Sequence, residues 1–272
     1  MISSLHNISS LDLPELEPYR TLKQPYEHLY KGIFIAEGEK VVHRLLSSNL
    51  RIYSVLLSYE WFEKLKSELE KHRDMVDIFV GEKKLLDSIV GHKLHQAIMA
   101  IGQVPKKITM DALCEQLLQK EIFLSVMTDG ITNAENMGVI IRNCACFGVD
   151  AIIVLSSSCN PYLRRSVRNS MGNIFQLPIT HVENIKDEIV KLKECGVTVY
   201  AAHPGAKSKD SRNIKFKKKS CIVFGAEGNG ISGEVLGLCD ELVSIPMKEG
   251  IDSLNVASAS AVILYQIKNC NF

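Results

Sequence analysis

A chain of 272 residues is too long for one small core and long enough for two α/β domains. Hydrophobic residues make up 46% and charged residues 23%, with no apolar run of membrane-spanning length, so the composition is that of a soluble globular protein. The net charge of +1 excludes a polycationic nucleic-acid coat and leaves any anionic partner to local patches.

The first twenty residues carry Asp12, Glu15 and Glu17 and lack an apolar core region, which argues against a secretory signal and for a cytoplasmic protein. The eight cysteines (Cys114, Cys144, Cys146, Cys159, Cys195, Cys221, Cys239 and Cys270) include no CxxC pair, and most sit inside apolar runs. Buried free thiols in a reducing compartment are the economical reading. His92 and His95 are spaced like two ligands, but nothing nearby completes a set, so no metal is expected.

In chain order, residues 33–36 read as a strand, followed by a helix over 37–47 with Val41, Val42, Leu45 and Leu46 on one face. A strand follows at 52–57, a charged amphipathic helix at 59–72, a strand at 77–80, a helix at 82–89 and a strand at 97–101. Such alternation builds a layered α/β sheet. The break Gln103-Val-Pro-Lys-Lys places a boundary near residue 105, with a linker and helix over 106–120 and a second domain over 121–272. That domain has near-continuous apolar runs at 122–127, 151–155, 197–201, 221–224 and 242–245, as expected of a parallel sheet buried on both faces. Helices over 135–147, 184–195 and 252–268 lie between and after them.

Three segments carry chemistry. The first runs from Asp129 to Arg142 and on to Gly148; it follows a strand and opens a helix. Asn133 and Asn136 stand where caps belong. Arg142 follows Gly-Val-Ile-Ile on a mostly apolar helix, a setting in which an arginine usually has an anionic partner. Spacing alone leaves an internal ion pair and an active-site role level. The second segment, Gly225-Ala-Glu-Gly228-Asn-Gly230, follows a strand with Ser232 ready to cap a helix. Its spacing is not the GxGxxG of nicotinamide-binding folds. The third is Ile245-Pro-Met247 followed by Ser253-Leu-Asn255 and a helix of small residues, Ala257 to Ala261, suited to close packing or to a contact between subunits.

In order and spacing the three segments resemble the motifs of the SpoU/TrmH class of SPOUT methyltransferases, over roughly residues 121–268. The shared residues are Asn136, Gly138 and Arg142, then Gly225, Glu227, Gly228 and Gly230, then Ile245-Pro-Met247 with Ser253-Leu-Asn255. Arg168-Asn-Ser-Met-Gly172 is similar to the family's connecting stretch, and Gly32 to Gly38 more weakly to its RNA substrate-binding domain of ribosomal-protein-like α/β fold. The resemblance implies a C-terminal parallel sheet tied in a trefoil knot, a homodimer with its site at the subunit interface, and methyl transfer from S-adenosyl-L-methionine to an RNA ribose 2′-hydroxyl. By the same resemblance Gly225, Glu227, Gly230, Ile245 and Leu254 hold the cofactor, and Arg142, Asn136, Ser253 and Asn255 serve catalysis. Glu227 and Asn255 would also support the loops. Arg164, Arg165 and Arg168, at helical spacing, are expected to meet RNA phosphates, whereas Lys215 and Lys217 to Lys219 read as a solvated loop. Ribosomal RNA is favoured over transfer RNA. The alternatives are a tRNA 2′-O-methyltransferase and a catalytically silent RNA-binding or assembly factor on the same fold.

Overall fold

Five short runs in the first part of the chain form strands: β1 (Leu5–Ile8), β2 (Ile33–Glu37), β3 (Ile52–Ser58), β4 (Asp77–Gly81) and β5 (Ile98–Gln103). Their order is β1-β4-β3-β5-β2. β4 runs parallel to both β1 and β3, while β5 is antiparallel to both β3 and β2. This is a computed structural model, and it describes residues 5–72, 75–89, 96–205, 207–251 and 253–271. His92, His95 and Asp252, and the side chain of Cys270, lie outside the described residues.

The helix Glu39–Leu46 buries Val41, Val42, Leu45 and Leu46, the stripe that its sequence spacing predicts. β1 and the short helices Glu17–Arg20 and Pro25–Tyr30 were not expected. With the 3-10 turn Pro14–Leu16 and the turn after Arg20, this segment adds Leu16, Tyr19 and Leu22 to a core with Ile35, Leu56, Phe79 and Met99. The fully buried Tyr19 hydroxyl donates to Ser54 O at 3.1 Å, which satisfies its polar end.

The chain divides into two compact units, Met1–Pro105 with Pro161–Phe175, and Lys106–Asn160 with Gln176–Phe272. The 161–175 stretch was expected within the second domain, but its contacts are with the first. Phe34 packs its ring against Tyr162 and Phe175 at centroid distances of 5.5 and 5.3 Å. Glu37, at the end of β2, pairs with Arg164 and Arg168 of the short helix Arg164–Asn169. Arg44 donates to Met171 O at 2.7 Å and Asn173 Oδ1 at 2.9 Å.

The second unit carries seven strands: β6 (Phe123–Asp129), β7 (Ala151–Leu155), β8 (Ile179–Val182), β9 (Thr198–Ala202), β10 (Lys209–Asp210), β11 (Lys219–Gly225) and β12 (Glu241–Ser244). Every pairing is parallel, in the order β10-β12-β9-β11-β6-β7-β8. β6 and β7 are buried along their whole length, which is why they read as near-continuous apolar runs, with Ser125, Thr128 and Asp129 the buried polar residues of β6. The last helix begins at Val256, not at 252. Asn255 explains the difference: its Oδ1 accepts from the N–H groups of Ala257 and Ser258 at 2.9 and 3.3 Å, as a helix cap does. Among the described residues no helix is long and apolar enough to cross a membrane.

Candidate active site

In parallel α/β sheets, ligands gather beyond the carboxyl ends of the strands where the winding reverses. Here β6, β7 and β8 progress toward one edge; the chain then returns to place β9, β11 and β12 on the other side of β6. Beyond the ends of the neighbouring strands β11, β9 and β12 lies a cavity of about 420 Å³. That is a volume suited to a small organic ligand, within the ~300–1,000 Å³ of such sites. Phe224, Val243, Ile245, Leu254 and Ile263 make its walls apolar, and His203, Glu227, Ser244, Ser253 and Asn255 supply polar groups. Gly225, Glu227, Gly230, Ile245, Ser253, Leu254 and Asn255, all singled out in the sequence, line this cavity.

The glycine-rich turn has a steric cause. A Cβ on Gly225 would lie 2.3 Å from Gly230 C and from Ile231 N, so the chain folds back directly onto it. Ala226 and Gly230 exchange two backbone hydrogen bonds of 3.0 Å, with Gly228 at φ +93° and Gly230 at φ +69° inside the turn. Asp129, buried at the end of β6, anchors this loop: its Oδ2 accepts from Ser232 N at 2.8 Å and its Oδ1 from Ser157 Oγ at 2.9 Å. Ser232 then caps the helix Gly233–Leu238.

Asn255 joins the three motifs. Its Nδ2 donates to Asn136 Oδ1 at 3.1 Å and, in a short contact, to Glu227 Oε1. With its Oδ1 capping the last helix, both donor hydrogens and both acceptor lone pairs of the amide are used. Asn133 caps the helix Ala134–Cys146 by accepting from Glu135 N and Asn136 N. Lower on that helix, Asn143 Nδ2 donates to Ala257 O at 2.8 Å and Ser260 Oγ at 2.9 Å. The small residues of the last helix thus serve this packing, with Ala257 and Ser260 buried.

Arg142 departs from expectation. It lies on the exposed face of the helix Ala134–Cys146, and among the described residues it makes no hydrogen bond or ion pair. It does not line the cavity, nor does Asn136, which reaches it through Asn255. Arg164 and Arg168 belong to the first unit and share Glu37; Arg165 beside them is exposed. His203, Phe224, Ser244 and Met247 were not anticipated as lining residues. The available signal was position, because each sits at or just after the end of a strand.

The thiols are poorly suited to covalent chemistry. Burial pushes Cys144 well above the ordinary thiol range and Cys159 up to about 11, so both are neutral near pH 7. Cys146 is exposed, on the helix face away from the core.

Residues 124–265 match the sequence profile of the SpoU rRNA Methylase family. The chain belongs to this family. A 23S rRNA (guanosine-2'-O-)-methyltransferase RlmB of Vibrio parahaemolyticus is 31% identical over 184 residues, 68% of this chain and 74% of that protein. An uncharacterized tRNA/rRNA methyltransferase of Mycobacterium tuberculosis is 28% identical over 270 residues, 96% of this chain and 91% of its own length. Among solved structures, an AdoMet-bound rRNA methyltransferase from Sinorhizobium meliloti superposes with a TM-score of 0.81 at 25% identity, covering 97% of this chain and 98% of that one.

Proposed function

We propose that this family member is an S-adenosylmethionine-dependent RNA ribose 2′-O-methyltransferase that acts on ribosomal RNA. The observation that carries the reading is the cavity at the ends of β9, β11 and β12, where the second and third motifs meet. Its apolar walls suit a flat base and a thioether chain, and its polar groups suit a ribose and an amino-acid end. Gly225 and Gly230 bring bare backbone to it, while Ile245 and Leu254 offer apolar contact. The 2′-hydroxyl target and the ribosomal substrate are supported by the Vibrio relative, a 23S rRNA (guanosine-2'-O-)-methyltransferase.

When bound, S-adenosylmethionine supplies an electrophilic methyl on a sulfonium. The chain's task is to bring a ribose oxygen in line with that methyl and to exclude water. Asn255, with all four of its hydrogen-bonding positions used, acts as an anchor that holds Glu227 and Asn136 in register. Ser253 lines the cavity without a partner among the described residues and is free to orient the ribose. Arg142 has a guanidinium that stays protonated, since its pKa exceeds about 12. Its role is electrostatic: it holds an RNA phosphate or stabilises charge growing on the attacking oxygen. Arg164, Arg165 and Arg168 add phosphate contacts.

The site is proposed to work in a homodimer on the family's knotted sheet. Exposed Ile251, Leu254, Val262 and Tyr265, at 55, 42, 37 and 57%, offer apolar surface for a second copy. Insertion of β11 between β6 and β9, after both are laid down, suits a knotted path. Calorimetry with S-adenosylmethionine, followed by mapping of 2′-O-methyl groups in RNA from cells with and without the protein, tests the reading. Binding, together with a ribosomal 2′-O-methyl group lost with the protein, is expected. No cofactor binding, or a lost methyl carried on a base, overturns it.

A further inference from the structure

The cavity contains one ring with hydrogen-bonding nitrogens that none of the three motifs supplies. His203 directly follows β9, the strand between β11 and β12, and lines the cavity with Ala202 and Pro204. Its main chain is held firmly. His203 N donates to Val243 O at 2.9 Å, and Ser208 Oγ donates to His203 O at 2.7 Å. Its side chain is not so held. Neither ring nitrogen has a hydrogen-bond partner among the described residues, and Nδ1 is buried. Polar nitrogens taken out of water normally find partners, and exceptions call for an explanation. The ring also has a reserved place: a Cβ on Gly205 would come within 3.2 Å of both Cδ2 and Nε2.

We propose that His203 is a specificity residue of the cofactor site, whose imidazole hydrogen-bonds a ribose hydroxyl of the bound nucleoside. This rests on the reading of the cavity as an S-adenosylmethionine site. Two considerations select the hydroxyl. The walls of the cavity are apolar at Phe224, Val243 and Ile263, so the base and the thioether have contacts of their own kind. Among the described residues no group fixes the tautomer of the ring, and either tautomer presents a donor at one nitrogen and an acceptor at the other. A hydroxyl meets either arrangement by turning its hydrogen. A carboxylate only accepts and an ammonium only donates.

The test is calorimetry on the full chain with S-adenosylhomocysteine and its 2′-deoxy and 3′-deoxy ribose analogues. The intact protein is expected to bind the parent about tenfold more tightly than one of the deoxy forms, the discrimination typical of one hydrogen bond. His203→Ala should bind the parent about tenfold more weakly and treat parent and analogue alike, and His203→Gln should recover part of the difference. Gly205→Ala, which presses on the ring without removing it, should fall between the intact protein and His203→Ala; it carries the test if His203→Ala does not fold. Wild-type affinity and discrimination in His203→Ala overturn the assignment. So does a loss of turnover with affinity unchanged, which would place the imidazole on the RNA side of the reaction. Binding by the intact protein without discrimination removes the hydroxyl contact alone, whereas no binding of any adenosyl ligand removes the cofactor reading with it.

Discussion

Arg142 and Arg164 are both helical arginines expected to meet RNA, and their surroundings differ in kind. Arg142 is exposed and has no partner among the described residues. The Arg164 side chain is only 22% exposed and grips Glu37, itself 10% exposed, whose other oxygen receives Arg168 at 3.2 Å. Glu37 and its two guanidiniums are accounted for by folding alone, because a buried carboxylate needs counter-charges. Folding gives no account of Arg142. An unpaired guanidinium on an open helix face contributes little to stability, which leaves it available for the RNA contact proposed above.

The largest expected effect follows from that contrast. Arg142→Ala should lower methyl transfer by about 100- to 1,000-fold, the usual loss for one charge-stabilising donor. Unfolding stability should stay within about 0.5 kcal/mol of the parent, since nothing inside the chain leans on the side chain. Turnover assays beside denaturant titrations would show it; a stability loss with turnover intact would reverse the roles assigned to the two arginines. Next is Glu37→Ala, which leaves Arg164 half-buried without its counter-charge. It should cost about 2–4 kcal/mol, read from the denaturant midpoint of the first unit's transition. A cost below about 0.5 kcal/mol would mean that water replaces the carboxylate freely, and the contrast with Arg142 would collapse.

What the sequence discloses depends on how local the cause is. β6 and β7 are legible because burial on both faces writes a near-continuous apolar run. The segment before Gly32 is not, because Pro14, Pro18 and Pro25 cut it into helices too short to show a period. The glycine turn is legible as a motif, but its reason, Gly225 lying against the backbone of Gly230, appears only when the loop closes. Arg164 and Arg168 show helical spacing, yet Glu37 stands 127 residues from Arg164. His203 belongs to no motif. It becomes a cavity residue because β9 takes its place between β11 and β12, a non-local pairing that no short window of sequence records.

The smallest expected effect sharpens the comparison most. Arg168 sits between the two cases: it touches Glu37, but its side chain is 56% exposed. Since Arg164 keeps Glu37 paired, Arg168→Ala should cost only about 0.5–1 kcal/mol of stability, in the range of exposed ion pairs. Its effect on RNA is separable from that. A phosphate contact releases counterions when it forms, so its loss weakens binding to all RNA sequences alike. It also reduces the slope of log affinity against log salt by about 0.7–0.9. Titrating one RNA fragment at several salt concentrations with both proteins reads that slope directly. A reduced slope makes the exposed part of Arg168 an RNA contact and leaves Arg164 as the structural half of the pair. An unchanged slope gives both arginines to Glu37, and the phosphate contacts of this enzyme then rest on unpaired cations such as Arg142.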